Sequence, residues 1–263
     1  MNDSTVLVEF KGDVAWLTLN RPASMNAMSV ELVAGIEQAL DRVDEHHGVR
    51  AVVFIGNGKA FSAGGDLKAF KEALGSGNHE RFLASLRAGQ KMFRRVEQLS
   101  LPTIAAVNGV AVAGGLELIL SCDLAVAAES ARIGDGHAKF GIIPGGGSSV
   151  RLPRKLPVAL AKQLLYTGEL MPAARLAEWG LINKVVPDAQ LVEEVEALTY
   201  SIAANSPLGL RWIKRLVDDG LQQPSDSAWR LEMAAFESYA RSEDILEGLS
   251  AFEEKRKPSF RGR

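Results

Sequence analysis

A single glutamate, Glu117, lies in an apolar stretch that directly follows two glycines, Gly114 and Gly115. Residues 104–107 are apolar, partly β-branched and preceded by Pro102, a pattern that predicts a buried strand. The residues after the glycines predict a buried helix. A helix that begins at glycines has unpaired backbone N–H groups at its start. This segment therefore places a carboxylate beside donors suited to a negatively charged oxygen.

A second glycine-rich segment, residues 63–66, also follows a strand pattern and precedes a helical one, so it predicts another helix start with available amides. Nucleotide-binding motifs do not fit, because Phe61 occupies the third glycine position of a G-x-G-x-x-G motif beginning at Gly56. The sequence also lacks G-x-x-x-x-G-K-[ST]. What remains is a pair of backbone donors, from Gly65 and Gly114, that could point at one carbonyl oxygen and stabilise it as an enolate.

Composition limits the class of protein. A chain of 263 residues with 47% apolar and 24% charged residues can bury one substantial core, or one core plus a helical appendage. The formal net charge of -2 gives no electrostatic reason to expect nucleic acid or an anionic membrane as a partner. One cysteine, Cys122, excludes an internal disulfide and a cysteine-rich zinc site. The sequence shows neither a signal-peptide pattern nor an apolar run of roughly 18 residues, so we expect a soluble, cytoplasmic protein.

Strand and helix patterns alternate through the first half of the chain. Residues 6–10 and 14–19 predict a β-hairpin, and residues 51–55 and 123–128 predict buried strands. Ser29 could cap a helix whose apolar residues recur on one face. Strands separated by helical segments indicate βα repeats with mainly parallel pairing.

From Ser148 onward the patterns are mainly helical. The helical segments are residues 157–166, 173–179, 191–204, 207–221, 227–241 and 243–255. In this part of the chain only residues 181–186 could be extended. The back third is therefore predicted to be a helical module, and no linker separates it from the rest.

Several segments, in order along nearly the whole chain, resemble the enoyl-CoA hydratase/isomerase, or crotonase, superfamily. They are Asn20-Arg21-Pro22 with Asn26-Ala27-Met28, AFSAGGDLK at residues 60–68, NGVAVAGGLELILSCDLAVA at 108–127, FGIIPGGGSSVRLPR at 140–154 and FEEKRKPSF at 252–260. The resemblance implies an α/β fold, a crotonase-like spiral of ββα units. It assigns the core with the CoA and acyl site to residues 1–200 and a helical C-terminal trimerisation region to residues 201–263.

The resemblance also implies the ligand and the assembly. The substrate is an acyl-CoA thioester, and no separate cofactor is needed because coenzyme A is carried by that thioester. The protein is expected to form homotrimers or homohexamers, with no nucleic acid, membrane or metal as a partner. The basic C-terminal segment, residues 252–260, could cover CoA or be a solvated tail.

Carried onto matching positions, the resemblance assigns roles to individual residues. Backbone amides of Gly65 and Gly114 hold the thioester oxygen. Contacts to CoA come from Ala63, Gly64, Gly65, Asp66, Leu67, Lys68 and Gly114. Glu117 stands at the position of the first of two catalytic glutamates. Its apolar neighbours are expected to raise its pKa, which suits a general base or acid.

At the second glutamate position the chain departs from the family. That residue should lie seven positions before Pro144, where this sequence has His137. A histidine can still exchange a proton, because its unperturbed pKa is near 6.5. Asp135 could orient the imidazole or face the pocket itself. We therefore include His137 with Glu117, Gly65 and Gly114 among the candidate catalytic residues.

The resemblance predicts an acyl-CoA lyase of fatty acid metabolism that adds water across the 2,3 double bond of an enoyl-CoA through an oxyanion-stabilised enolate. Glu117 and His137 together could carry out this hydration. Double-bond isomerisation would need only one base, Glu117. Decarboxylation and C–C hydrolysis use the same oxyanion site with other side chains. A CoA-binding protein without catalysis is a further alternative, because the second glutamate is absent.

Overall fold

The structure is a computed structural model that describes residues 4–263 and consists of two compact units. The first unit comprises residues 4–99 and 103–196, and the second comprises residues 100–102 and 197–263. All the strands of the described residues lie in the first unit, and the second is helical.

The strands of the described residues are β1 (Val6–Lys11), β2 (Val14–Leu19), β3 (Ala51–Gly56), β4 (Ala60–Ser62), β5 (Thr103–Val107), β6 (Val110–Val112), β7 (Leu124–Ala128), β8 (Arg132–Gly134), β9 (Met171–Pro172) and β10 (Lys184–Val186). The α-helices are α1 (Val30–Glu45), α2 (Leu67–Gly75), α3 (His79–Glu97), α4 (Gly114–Ser121), α5 (Ser148–Lys155), α6 (Val158–Thr167), α7 (Ala173–Glu178), α8 (Leu191–Ala203), α9 (Pro207–Gly220), α10 (Ser225–Tyr239) and α11 (Glu243–Glu253).

Two sheets are built from strands that alternate between them. The larger sheet has the order β1-β2-β3-β5-β7-β10, and the smaller has the order β4-β6-β8-β9. The hairpin β1–β2 and the pair β8–β9 are antiparallel, and every other pairing in these sheets is parallel. In each of three consecutive strand pairs, β3–β4, β5–β6 and β7–β8, the first strand lies in the larger sheet and the second in the smaller. This repetition confirms the predicted spiral of ββα units.

Burial explains why the central strands form. Every residue of β5 is buried, as expected of a parallel strand covered on both faces. Helix α1 begins where predicted, because the Ser29 side chain accepts a hydrogen bond from the Leu32 N–H at 3.3 Å, and Leu32, Ile36 and Leu40 bury its apolar face. The predicted hairpin is also confirmed, with Val14 paired to Lys11 across the turn.

The prediction of a mainly helical back third is wrong in one respect. Strand β10 confirms the second half of the segment 181–186 that could be extended, whereas residues 181–183 are outside it, and β9 has no counterpart among the sequence predictions. Its two residues include Pro172, which gives no strand signal, and it forms because Met171 pairs with Ile133 of β8.

In the second unit, the C-terminal residues fold against the start of α11. The backbone N–H groups of Arg261 and Gly262 donate to the buried carboxylate of Asp244, at 2.8 and 3.1 Å to Oδ1. Arg256 forms a bidentate ion pair with Glu247, at 2.6 and 2.9 Å. No helix within residues 4–263 is long and apolar enough to cross a membrane.

Candidate active site

A cavity in the first unit brings the two glycine-rich segments together with Glu117. It is lined by Gly65, Gly114, Glu117 and His137, among others. The approach of the two glycine segments follows from the smaller sheet, in which β4 and β6 are parallel neighbours with Ala60 opposite Val110. Both strands therefore end at the same edge, and the glycines follow directly from these ends.

The two glycine segments approach each other too closely for a side chain between them. A Cβ on Gly64 would lie 2.7 Å from the Val112 carbonyl oxygen and 3.3 Å from the Gly114 nitrogen. Gly64 also has a φ of +87°, which favours glycine. These contacts explain why the segment 63–66 has glycine at position 64, where it meets the segment that contains Gly114.

Gly114 is the first residue of α4, so its N–H lies among the helix-start donors that have no intrahelical acceptor. The preceding residue, Ala113, has φ 51° and ψ -112°, a conformation that is costly for a residue with a side chain. This strained residue sets the plane of the peptide bond that carries the Gly114 N–H. Gly65 and Gly114 line the same cavity.

Glu117 lies in α4, with only 3% of its surface exposed. Its Oε1 accepts hydrogen bonds from the backbone N–H groups of Gly146, at 2.8 Å, and Ser148, at 3.2 Å. Burial raises the pKa of Glu117 above its usual 4.5, and the negative charge of Asp135 acts in the same direction. The charge of His137 and the two N–H donors reduce the increase. A carboxylate with a raised pKa is suited to proton exchange near neutral pH.

His137 begins a short 3-10 turn, His137–Phe140, and its Nδ1 lies 3.0 Å from Oδ1 of the fully buried Asp135. Burial alone lowers the pKa of the imidazole. The hydrogen bond to Asp135 and the charges of Asp135 and Glu117 outweigh this effect and raise the pKa above 6.5. Donation from Nδ1 to Asp135 Oδ1 leaves the other ring nitrogen, Nε2, to exchange a proton.

The two buried side-chain oxygens that have no hydrogen-bond partner within residues 4–263 both belong to this neighbourhood. They are Asp135 Oδ2 and Ser148 Oγ. Asp135 holds His137, and Ser148 donates its N–H to Glu117. Glu117 and His137 therefore have polar as well as apolar neighbours.

Of the residues assigned to CoA from the sequence, four line the cavity, namely Ala63, Gly65, Leu67 and Gly114. Gly64 supports the glycine contact described above. Asp66 caps α2, accepting a hydrogen bond from the Ala69 N–H at 3.1 Å, and lies 4.0 Å from Arg21. Lys68 is exposed on α2. No cluster of three or more His, Cys, Asp or Glu side chains in the described part of the chain could hold a metal ion.

The apolar wall of the cavity was not assigned to individual side chains from the sequence. The wall of the cavity is apolar and comes largely from α2, α3 and the segment after His137. It includes Met28, Leu67, Phe70, Leu86, Phe93, Phe140, Ile142 and Ile143. The hydrogen-bond partners of Glu117 were also missed, although the three consecutive glycines at 145–147 were a signal that the backbone approaches another group there.

The fold and the site together define a ββα-spiral protein in which Gly65, Gly114, the buried Glu117 and His137 line one apolar cavity. This is an arrangement that can stabilise an enolate and move protons beside it. The chain belongs to the enoyl-CoA hydratase/isomerase family, whose pattern it matches over residues 9–263.

Relatives of known name cover nearly the whole chain. The chain is 38% identical to a crotonyl-CoA hydratase of Syntrophomonas wolfei over 256 residues, which is 97% of each protein. It is 35% identical to a short-chain-enoyl-CoA hydratase of Clostridium acetobutylicum, covering 98% of this chain and 97% of the relative. The crystal structure of an enoyl-CoA hydratase from Bacillus anthracis superimposes with a TM-score of 0.94 at 38% identity, covering 98% of this chain and 100% of that one.

Proposed function

We propose that this protein is an enoyl-CoA hydratase that adds water across the 2,3 double bond of an enoyl-CoA. Coenzyme A enters as part of the substrate thioester. The observation that carries the proposal is the position of the buried Glu117 and of His137 in the same cavity as the Gly65 and Gly114 amides. The family and the names of its relatives support the same reaction.

In this mechanism the N–H groups of Gly65 and Gly114 bind the thioester oxygen. Glu117, as the carboxylate, takes a proton from water while the water oxygen bonds to C3. The π electrons of the double bond move toward the carbonyl, and the resulting enolate oxygen is stabilised by the two amides. Protonated His137 then delivers a proton to C2. Transfer of a proton from Glu117 to His137 through solvent restores the starting state.

The ionisation of the pair fits these roles. Glu117 and His137 attract each other when one is negative and the other positive, and His137 is further held in its protonated form by Asp135. This mutual attraction favours the carboxylate form of Glu117 together with the imidazolium form of His137, the two forms that the mechanism uses. Isomerisation would use one base alone and gives no role to the His137–Asp135 contact.

The apolar cavity wall favours an unsubstituted hydrocarbon acyl group. Apart from Glu117 and His137, the residues that line the cavity are mainly aliphatic and aromatic. A charged acyl chain would lose its hydration among these side chains, which is costly. Straight-chain enoyl-CoA thioesters are therefore the substrates to test first.

The experiment follows the absorbance of the conjugated thioester in crotonyl-CoA and longer straight-chain enoyl-CoAs. Mass spectrometry of the product separates the reactions, because hydration adds one water and isomerisation leaves the mass unchanged. The Glu117→Gln and His137→Asn variants should each lose roughly 100-fold or more in kcat, as expected of groups that transfer protons. Unchanged absorbance with measurable CoA binding would instead support a CoA-binding protein without catalysis.

We also infer assembly into trimers or pairs of trimers through the second unit. Its helices α9 and α10 carry large apolar side chains that are exposed in the single chain, including Ile213, Trp229 and Phe236, the last two at 69% and 56%. Exposed apolar surface of this kind favours association between copies. Light scattering of the full chain tests the expected masses. The cytoplasm remains the expected compartment, and cell fractionation tests it.

A further inference from the structure

Arg151 is a nearly buried cation outside the acid–base pair, with 8% of its side chain exposed. Its Nε and Nη2 donate to the two carboxylate oxygens of Glu97, at 2.9 and 2.8 Å. Its Nη1 donates to the Gly146 carbonyl oxygen at 2.8 Å. A buried charge is tolerated only where it is paired, and the planar guanidinium suits such a three-bond arrangement.

Gly146 connects this arginine to the base. Its N–H donates to Glu117 Oε1, and its carbonyl oxygen accepts from Arg151. The adjacent Gly147 has a φ of +122°, and a Cβ there would lie 2.0 Å from Arg151 Nη1. The arginine therefore packs directly on the backbone of the glycine segment. Ser148, the second donor to Glu117, begins the same helix that carries Arg151.

Glu97 connects the arginine to the cavity wall. It is the last residue of α3, and residues of this helix, among them Leu86 and Phe93, line the cavity. The ion pair thus joins the wall that would contact the acyl group to the segment that donates hydrogen bonds to Glu117.

We propose that Arg151, held by Glu97, is a positioning residue that keeps the Gly146 and Ser148 amides on Glu117 and so aligns this base with the substrate. The inference rests on the proposed role of Glu117 as the base. Arg151 acts through the backbone of residues 146–148 and has no contact with the reacting atoms in this mechanism.

We call the Arg151–Glu97 ion pair, with its hydrogen bond to the Gly146 carbonyl oxygen, the clamp. Loss of the clamp should change the pKa of Glu117, which a loss of packing alone would not do. The two amides lower the pKa of Glu117, so their displacement leaves burial and the charge of Asp135 to raise it further, against the opposing charge of His137. Because the base must be deprotonated to act, the acid limb of the kcat profile should then move to higher pH. Glu97 is ion-paired with Arg151 and the Lys155 ammonium interacts with its charge, but neither is among the described hydrogen-bond partners of Glu117 Oε1.

The test compares Arg151→Gln, Arg151→Lys and Glu97→Gln with Arg154→Gln. Arg154 is the matched control, because it lies on the same helix but is exposed and donates to the Val150 carbonyl oxygen of that helix. We expect Arg151→Gln to lower kcat by about 10- to 100-fold, as for a slightly misplaced base, with KM nearly unchanged. Its acid limb should lie at higher pH. Arg151→Lys should recover part of the loss, and Arg154→Gln should behave as the unmodified chain.

A second measurement needs no turnover. The infrared carboxyl band of Glu117 is isolated by subtracting the spectrum of the Glu117→Gln variant, and its midpoint is followed with pH. The midpoint should be higher in Arg151→Gln than in the unmodified chain. This result can be obtained whether or not the protein hydrates enoyl-CoAs, so the clamp and the proposed function can fail separately.

Three outcomes would overturn the proposal. One is an unchanged infrared midpoint and acid limb in Arg151→Gln. Another is a fall in kcat in Arg154→Gln as large as the fall in Arg151→Gln. The third is a further fall when Arg151→Gln is added to Glu117→Gln, because a residue acting through the base should have no effect once the base is gone. If Arg151→Gln does not fold, Glu97→Gln decides by the same readouts.

Discussion

Gly146 donates its backbone N–H to Glu117 at 2.8 Å and leaves no space for a side chain of its own beside that carboxylate. A Cβ on Gly146 would lie 2.4 Å from Glu117 Oε2 and 2.5 Å from the ring of Phe93. Glu117 and Phe93 therefore both lie against the position that a Cβ would occupy, and any side chain at residue 146 must displace one of them.

The Gly146→Ala variant should consequently lose activity. Displacement of Glu117 by about 1 Å is expected to lower kcat by about 100-fold. Steady-state kinetics and thermal unfolding check this result, with Gly75→Ala as the control, because a Cβ on Gly75 meets no atom within 4 Å. Wild-type kcat in Gly146→Ala would contradict the assignment of Glu117 as a tightly positioned base.

The contact between Asp135 and His137 predicts a change at the alkaline side of the pH profile. Burial lowers the pKa of His137, and Asp135 is the first of the groups that reverse this effect. In Asp135→Asn the pKa of the imidazole should therefore fall. Since His137 acts as the acid, loss of its proton at lower pH should move the alkaline limb of kcat to lower pH and reduce kcat near neutrality.

Nuclear magnetic resonance provides a direct measurement of this change. The imidazole signal of His137 is assigned by its absence in His137→Asn, and its midpoint is compared between the unmodified chain and Asp135→Asn. An alkaline limb that stays in place while the imidazole midpoint falls would show that His137 is not the proton donor.

Much of the fold could be predicted because it depends on local patterns. The hairpin of β1 and β2, the buried strand β5 and the Ser29 cap each follow from the spacing of a few neighbouring residues. The approach of the two glycine segments also followed from their similar positions after strands. Parallel pairing of β4 and β6 then brings them to one edge.

The hydrogen-bond network of the base could not be predicted in the same way. Gly146 and Ser148 lie 29 and 31 residues after Glu117, and their interaction depends on how α4 and α5 pack. Likewise, Arg151 and Glu97 are 54 residues apart in the sequence. Contacts between a backbone amide and a distant side chain leave no periodic pattern in a sequence.

The length of the acyl group can be tested at Gly89, in the middle of α3. Gly89 lines the cavity, and a Cβ there meets no atom within 4 Å, so a larger side chain would extend into open space. Gly89→Leu should raise KM for long-chain enoyl-CoAs relative to crotonyl-CoA. It should also stabilise the helix by about 0.5–1 kcal/mol, because glycine is a poor helix former.

Kinetics across a series of chain lengths provide the measurement. Gly75→Leu is the matched control, since Gly75 is also a helical glycine with open space at Cβ but does not line the cavity. A parallel change of KM for all chain lengths in Gly89→Leu would show that this part of the cavity does not hold the acyl end.

The raised pKa of Glu117 also predicts how stability depends on pH. A carboxyl whose pKa is higher in the folded chain than its usual 4.5 binds its proton more tightly when folded. Its contribution to stability is therefore fully present below pH 4.5 and is lost as the pH rises through the folded value. The Glu117→Gln variant has no such titration. Its melting temperature relative to the unmodified chain should accordingly increase with pH between 4.5 and 8.

Attraction to His137 does not reverse this sign. The pKa of His137 is raised partly by the charge of Glu117, and that stabilisation too is lost as the pH rises through the folded value for the imidazole. Calorimetry of both proteins at several pH values measures the difference, and His137→Asn with and without Glu117→Gln separates the two groups. A difference in melting temperature that stays constant or shrinks with rising pH would mean that the buried carboxyl is not held at a raised pKa. The chemical role assigned to it would then lose its physical basis, because a base with an ordinary pKa is a weaker acceptor of the proton that water must give up.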